Sequence, residues 1–148
     1  MVIDVTTTLS QHWSYVSEGG SSIVFSYSGP PNHDFDGTAL RLRKITHEAR
    51  LDQDDKFGVK EPDDPSILFQ HHVIQRLIPP QYLPRLESVR VNRSWLEELK
   101  TLTEERRPLE RRSKDTIDVS RTKAVLATDL VGGAALAIEI KVCITYRT

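Results

Sequence analysis

Two short apolar runs separated by a pair of glycines place the strongest constraint on how this chain folds. Residues 13–15 and 23–27 are aromatic or β-branched, and residues 18–22 read Glu-Gly-Gly-Ser-Ser. Aromatic and β-branched side chains favour strands, and glycine supplies the positive φ that tight hairpin turns need. The pattern therefore predicts a β-hairpin that turns at Gly19 and Gly20.

A third strand is predicted over residues 38–44, where charged and apolar residues alternate. Leu40 and Leu42 occupy one set of positions, and Arg41 and Arg43 occupy the other. Successive side chains of a strand point to opposite faces, so the two arginines are expected to share one face of the sheet. That face is either an ordinary solvated surface or, beneath a glycine-rich turn, a site for phosphate groups.

Two helices are predicted between the strands. The stretch of residues 51–65, which is rich in acidic residues, indicates a surface loop. Asp64 followed by Pro65 indicates a helix start. Asn92 is a good N-cap for the second helix. The apolar residues at helical spacing are Leu68, Val73, Ile74 and Leu77 in the first helix, and Trp95, Leu96, Leu99 and Leu102 in the second.

The order of these elements predicts an α+β fold. Further short strands are expected at residues 89–91, 124–127 and 135–140, and residues 1–12 are predicted to be a loosely held polar lead-in. Runs of short strands with inserted helices favour an antiparallel sheet with the helices on one side. At 148 residues the chain has room for one such domain.

Composition and charge argue against several functional classes. Lys and Arg number 20 against 21 Asp and Glu, for a net charge of -1, which argues against a general nucleic-acid binder. The single cysteine, Cys143, forms neither an internal disulfide nor a structural zinc site by itself. Without an apolar run of membrane-spanning length or a signal-like N-terminus, an intracellular protein with no membrane contact is expected.

Several charged groups are candidates for binding. Residues 106–112 contain four arginines around Pro108, and Glu139 and Lys141 fall on one face of the last predicted strand. A solvated loop and an edge ion pair are the simpler structural readings of these two groups. His71 and His72 are adjacent on a helix and point in different directions, which disfavours a shared metal ion.

In chain order, these pieces resemble the N-terminal part of the inositol pentakisphosphate 2-kinases. Residues 13–20 match that family's W-x-Y-x-x-E-G-G signature, and residues 23–29 and 35–44 resemble its next two strands. Residues 106–111 resemble its R-P-x-x-R segment, and residues 137–141 resemble the start of its E-x-K-P-K motif. The ordered set is more specific than any of its members.

The resemblance implies the fold, the reaction and the site. Residues 13–141 are expected to form the N-lobe of a protein-kinase-like fold. The family uses ATP and Mg²⁺ to phosphorylate the 2-hydroxyl of inositol 1,3,4,5,6-pentakisphosphate, giving inositol hexakisphosphate, in the nucleus or the cytoplasm. The positions that the resemblance assigns to ATP are Gly19, Gly20, Ser21, Ser22, Arg41, Thr128, Asp129, Glu139 and Lys141, and Arg111 is the position assigned to the inositol polyphosphate.

Departures from the family pattern add further expectations. Val142 and Cys143 stand where the resemblance implies Pro-Lys, so residues 142–148 are predicted to be a tail outside the family sequence. Leu130 replaces a zinc-binding histidine of some members, so no zinc is expected. With no C-lobe, the chain has no assigned catalytic residue and is expected to be inactive alone. The alternatives are a non-catalytic module that binds polyanions and an unrelated α+β interaction domain.

Overall fold

The fold is built on a six-stranded antiparallel sheet. The computed structural model describes residues 2–51 and 61–131. The strands are β1 Trp13–Glu18, β2 Ser22–Tyr27, β3 Thr38–Thr46, β4 Leu86–Arg90, β5 Asp115–Ile117 and β6 Lys123–Thr128. Their order is β1-β2-β3-β6-β4, and β5 pairs with the end of β3. The predicted α+β class with an antiparallel sheet is confirmed.

Helices are short apart from one. They are α1 His47–Leu51, α2 Pro65–Phe69, α3 Gln75–Leu77, α4 Arg93–Thr103 and α5 Leu109–Arg112, and a π-helical turn, Gln70–Ile74, joins α2 to α3. Short 3-10 turns cover Val5–Thr7, Ser10–His12, Pro80–Tyr82 and Glu104–Arg106. Within the described residues, no helix combines the length and hydrophobicity needed to cross a bilayer.

The hydrophobic core lies between one face of the sheet and α4. Its sheet side includes Phe25, Leu40 and Leu42, and its helix side includes Leu96 and Leu99. Asn92 caps α4 as predicted, because its side chain accepts a 2.9 Å hydrogen bond from the Trp95 N–H. Leu102 follows the same helical spacing, but it lies at the edge of the buried face and is 49% exposed, so it is not part of the core.

The segment before β1 is packed rather than loose. Val5 is fully buried in the core. The indole N–H groups of Trp13 and Trp95 both donate to Thr8, one to its hydroxyl and the other to its carbonyl, each at 2.9 Å. The prediction of a loosely held lead-in is therefore wrong for the residues around Val5 and Thr8, because two buried indoles use this segment to satisfy their donors.

Helices flank both faces of the sheet, not one. The α4 helix packs on the face that carries Leu40 and Leu42, whereas Ser66 of α2 contacts Arg41 on the opposite face. The predicted apolar stripe of the first helix is not buried: among the described residues, Ile67 is 6% exposed, while Leu68 and Leu77 are 45% and 74% exposed. The strand predicted at residues 135–140 lies outside the described residues.

Gly19 and Gly20 lie in the turn of the β1–β2 hairpin, as predicted, but the positive φ that the prediction assumed is not found there. Gly37, with φ 68°, is the one described residue with a positive φ, so Gly19 and Gly20 do not need the left-handed region. The turn closes through the Gly19 N–H, which donates to the Ser22 carbonyl at 2.9 Å.

A buried cluster of four charged side chains joins the hairpin to the chain around α5. The Arg107 guanidinium contacts both oxygens of Glu18, at 3.0 and 2.9 Å, and Asp115 at 2.6 Å. The Lys44 ammonium completes the ring, lying 3.0 Å from Glu18 and 2.9 Å from Asp115. The Glu18, Lys44 and Arg107 side chains are each at most 2% exposed. Two cations and two anions therefore compensate one another away from water.

The pKa values in this cluster reflect its hydrogen bonds. Burial alone raises the pKa of Glu18, but hydrogen bonds from Arg107 and Lys44 outweigh burial and hold that pKa below its ordinary value. Burial by itself would lower the pKa of Arg107, but the hydrogen bonds with Glu18 and Asp115 outweigh burial and raise that pKa above its ordinary value. Both groups thus stay charged in the folded protein at neutral pH.

This cluster predicts a stability loss in acid. Because the folded-state pKa of Glu18 is depressed, its contribution is complete above the ordinary value of 4.5 and is lost as pH falls through the folded-state pKa. We expect Glu18→Gln to cost about 3–5 kcal/mol at pH 7 and to reduce the decline in stability between pH 5 and pH 3. Urea unfolding followed by tryptophan fluorescence measures both quantities. Glu87→Gln, at an exposed residue, is the control, and an unchanged pH dependence in Glu18→Gln would contradict the assignment.

Candidate functional site

The face of the sheet opposite the core forms one side of a cleft. Arg41 and Arg43 point into it from β3, as the alternation predicts, while Lys123 and Val125 contribute from β6. The cleft has a volume of about 340 Å³, within the range of small-molecule sites. Ser21 of the glycine bend also lines it, so the bend and the Arg41 side chain lie on the same side of the sheet.

The Arg41 and Arg43 guanidinium groups meet at one carboxylate. Asp64 lies 2.7 Å from Arg43 and 3.5 Å from Arg41, and Arg41 also donates to the Ser66 hydroxyl. The Asp64 side chain is 10% exposed, whereas the two arginines keep 35% and 39% of their side-chain surface. The same carboxylate caps α2 by accepting from the Ser66 N–H at 2.9 Å. Asp64 therefore fixes the start of the helix against both arginines.

The other wall of the cleft holds a second carboxylate. Glu61 accepts hydrogen bonds from the Thr122 N–H at 2.7 Å, the Thr122 hydroxyl at 2.9 Å and the Lys123 N–H at 3.1 Å. Arg121 adds a contact at 3.1 Å, and the Lys123 ammonium lies 2.8 Å from Asp63. Two backbone N–H groups, one hydroxyl and one guanidinium thus converge on a single anionic group.

The pKa of Asp64 fits this environment. Burial raises the pKa, but hydrogen bonds from Ser66 and the charges of Arg43 and Arg41 lower it below its ordinary value. Burial lowers the pKa of Arg121, while hydrogen bonds to Asp118 and Glu61 raise it. Both groups are therefore ionised at neutral pH.

The bend beside the cleft is open to solvent, and Ser21 is its residue that lines the cleft, whereas Gly19, Gly20 and Ser22 are not among the lining residues. Gly19 and Gly20 are exposed, and a Cβ at either position would meet no atom within 4 Å. The Ser21 carbonyl accepts from the Lys44 N–H at 3.0 Å, which ties the bend to β3. Ser22 begins β2 opposite Arg43. The backbone of the bend is thus held in place while its outer surface stays accessible.

Thr128 and Asp129 lie at the end of β6, away from the residues that line this cleft. The Thr128 hydroxyl accepts from the Arg85 N–H at 2.8 Å. The Asp129 N–H donates to the Gly37 carbonyl at 2.9 Å, and its carboxylate accepts from Ser26. Both residues are therefore held at the end of β6 by hydrogen bonds to residues that are distant in sequence. Glu139 and Lys141 lie outside the described residues.

The arginine-rich segment divides into a buried and an exposed part. Arg107 belongs to the buried cluster, whereas Arg111 on α5 is exposed and makes no ion pair with the described residues. Arg111 is not among the residues that line the cleft. The structure therefore does not gather all the arginines of this run into one concave site.

Sequence reasoning did not find the acidic side of the cleft. Asp64 was predicted only as a helix cap and Glu61 only as part of a surface loop, and Arg121 and Lys123 were not selected. The pairing of Glu61 with Lys123 spans sixty-two residues, which no local pattern reveals. One usable signal is the proximity of three acidic residues, Glu61, Asp63 and Asp64, just before a helix start.

The described residues offer no assembled group of metal ligands. No group of three His, Cys, Asp or Glu side chains within residues 2–51 and 61–131 has a geometry suited to a metal ion. His71 and His72 are exposed on the π-helical turn.

Comparison with known proteins identifies the family. The family model for inositol-pentakisphosphate 2-kinase matches residues 15–142. The chain is 33% identical over 144 residues to the inositol-pentakisphosphate 2-kinases of Cryptococcus neoformans var. neoformans serotype D, strains JEC21 and B-3501A. The match covers 90% of this chain and 32% of each relative, so the chain spans about a third of the length of these curated relatives. This chain belongs to the inositol-pentakisphosphate 2-kinase family.

Proposed function

We propose that this chain forms the N-lobe of an ATP-dependent kinase, with the cleft beside Arg41 as the phosphate side of the nucleotide site. The reaction is transfer of the ATP γ-phosphoryl group to the 2-hydroxyl of inositol pentakisphosphate. The observation that carries the proposal is that Ser21 of the glycine bend and Arg41 line the same cleft in a member of this family.

The cleft offers the chemistry that phosphoryl transfer needs from one wall of a site. Such transfer depends mainly on positioning and on neutralising phosphate charge. A guanidinium donates two parallel hydrogen bonds to phosphate oxygens, and Arg41 lies with its charge directed into the cleft. The exposed bend lets backbone atoms of Gly19 and Gly20 approach a phosphate without a side chain between them.

An exposed apolar surface supports the role of one lobe within a longer kinase. Phe69, Leu77 and Tyr82 of the α2–α3 region are 55%, 74% and 74% exposed. Large apolar side chains that cluster in exposed positions often mark an interface. Since the relatives are about three times as long, we propose that this surface contacts the rest of such a protein. Catalytic residues and Mg²⁺ ligands then belong to that remaining part.

Arg111 is proposed to contact the inositol polyphosphate. Its side chain is exposed on α5, four residues after Arg107, whose guanidinium is locked in the buried cluster. The anchored Arg107 thus fixes the position of a short helix that presents a cation without an ion-pair partner among the described residues. A ligand with five phosphates provides the counter-charge.

ATP binding tests the assignment of Arg41. We expect Arg41→Ala to weaken ATP binding by about tenfold or more, because a charge-assisted hydrogen bond is worth about 1.5–3 kcal/mol. Asp64 keeps its contact with Arg43 in this variant, so the cleft retains its shape. Isothermal titration calorimetry with the whole chain measures the change. Arg93→Ala, at an exposed arginine on α4, is the control, and equal ATP affinities in the two variants would exclude Arg41 from the site.

A substitution in the bend separates ligand contact from folding. Gly20→Ala introduces a methyl group that meets no atom within 4 Å, so the unfolding free energy is expected to change by less than about 1 kcal/mol. The same methyl group lies on the surface that a phosphate approaches, and we expect ATP affinity to fall several-fold. Unfolding and ATP titration of one preparation give both values. Unchanged ATP affinity with unchanged stability would remove the bend from the proposed site.

Inositol pentakisphosphate binding tests Arg111 and the alternative of a non-catalytic polyanion-binding module. We expect Arg111→Ala to weaken binding of this ligand by about tenfold, the effect of losing one charge-assisted contact, while ATP affinity stays unchanged. Arg106→Ala, at another exposed arginine of the same segment, is the matched control. Inositol polyphosphate binding with no measurable ATP binding in the wild-type chain would favour the module over the kinase lobe.

A further inference from the structure

Four of the basic residues that line the cleft pair with one short acidic segment of the same chain. Residues 61–64 contribute three carboxylates, which we call the acidic segment. Asp64 pairs with Arg41 and Arg43, Asp63 with Lys123, and Glu61 with Arg121, at 2.7 to 3.5 Å. The fifth cationic residue that lines the cleft, Lys44, pairs instead with Glu18 and Asp115, and Arg121 has a second ion pair, with Asp118 at 2.8 Å.

The position of Glu61 has the character of an anion-binding site. Four donors converge on its carboxylate: the N–H groups of Thr122 and Lys123, the Thr122 hydroxyl and the Arg121 guanidinium. Adjacent backbone N–H groups with a hydroxyl and a guanidinium form the kind of concave donor set that also binds phosphate. The start of β6 therefore offers an anion site separate from Arg41 and from the glycine bend.

We propose that Arg43, Arg121, Thr122 and Lys123 extend the cleft into a polyphosphate-binding site, which the acidic segment occupies until an anionic ligand displaces it. The proposal rests on the proposed function only in placing a phosphate-bearing ligand in this cleft. Carboxylates and phosphates compete for the same donors, and a triphosphate brings more negative charge to them than the segment does. The partial exposure of the cations, from 28% for Lys123 to 44% for Arg121, leaves a path for exchange.

Asp64 also admits a simpler role, in which it holds Arg41 and Arg43 in position for a ligand. The two roles predict opposite signs. If Asp64 competes with the ligand, removing its charge strengthens polyphosphate binding. If it positions the arginines, removing its charge weakens binding. Asp64→Asn is the suitable variant because asparagine is also a good N-cap and preserves the start of α2.

The test uses the whole chain with inorganic tripolyphosphate and, separately, ATP, measured by titration calorimetry at low ionic strength. We expect Glu61→Gln and Asp64→Asn each to tighten tripolyphosphate binding about three- to fivefold, the effect of removing the partly screened ion pairs of one carboxylate. The double variant should bind more tightly than either, and adding Lys123→Ala should reverse part of the gain. Glu87→Gln is the matched control, because its carboxylate pairs with Arg85 and not with the cleft.

The location of the ligand is read from the backbone amides. We expect tripolyphosphate to shift the NMR amide signals of Thr122 and Lys123, which now donate to Glu61. Unchanged or weaker binding in Glu61→Gln and Asp64→Asn would overturn the proposal, as would the absence of binding by both the wild-type chain and the double variant at millimolar ligand.

The two proposals fail separately. If wild-type ATP binding depends on Arg41 but neutralising the acidic segment brings no gain, the competition is wrong and the nucleotide site stands. If the neutralised variants bind tripolyphosphate more tightly, while ATP binds no better than tripolyphosphate and Arg41→Ala has no effect, the anion site stands. In that case the nucleotide function falls.

Discussion

The buried cluster of Glu18, Lys44, Arg107 and Asp115 is the interaction on which the rest of the structure depends. Each of its four charges would be costly to bury alone, so the four side chains must arrive at one point together. That requirement fixes the end of β1, the end of β3 and the chain on both sides of α5 relative to one another. The glycine bend follows Glu18 directly, and Arg111 follows Arg107 by four residues. The buried cluster therefore fixes the glycine bend and Arg111, the two ends of the proposed site, relative to each other.

The alternation along β3 had the largest predictive value. It placed Leu40 and Leu42 in the core and Arg41 and Arg43 in the cleft, because the two-residue period of a strand is a local property. The caps at Asp64 and Asn92 were likewise readable from neighbouring residues. Local patterns failed where long-range pairing decides the outcome. In the arginine-rich run, Arg107 is buried and Arg111 is not because Arg107 pairs with Asp115 and with the distant Glu18. The short strand β5 was missed for the same reason, since it forms by pairing with β3.

The two faces of the sheet thus have different roles. The apolar face packs against α4 and supplies stability, while the polar face carries arginines that need counter-charges whether or not a ligand is bound. Without their carboxylate partners, the cations that converge in this cleft would repel one another. The acidic residues 61–64 remove that repulsion and at the same time attach α2 to the sheet.

The net charge of the chain, -1, does not reveal that cations and carboxylates are concentrated on one face of the sheet. Ordinary polyanion binding gains free energy by releasing dissolved counterions, which makes affinity fall steeply as ionic strength rises. Here the anions that leave the cleft are covalently attached, so few free chloride ions are released, and the exposed carboxylates take up cations in exchange. Added salt also weakens the internal pairs that the ligand must replace. Ligand binding at this face should therefore respond to ionic strength less than its density of positive charge suggests, and a shallow salt dependence would not indicate that phosphate contacts are few.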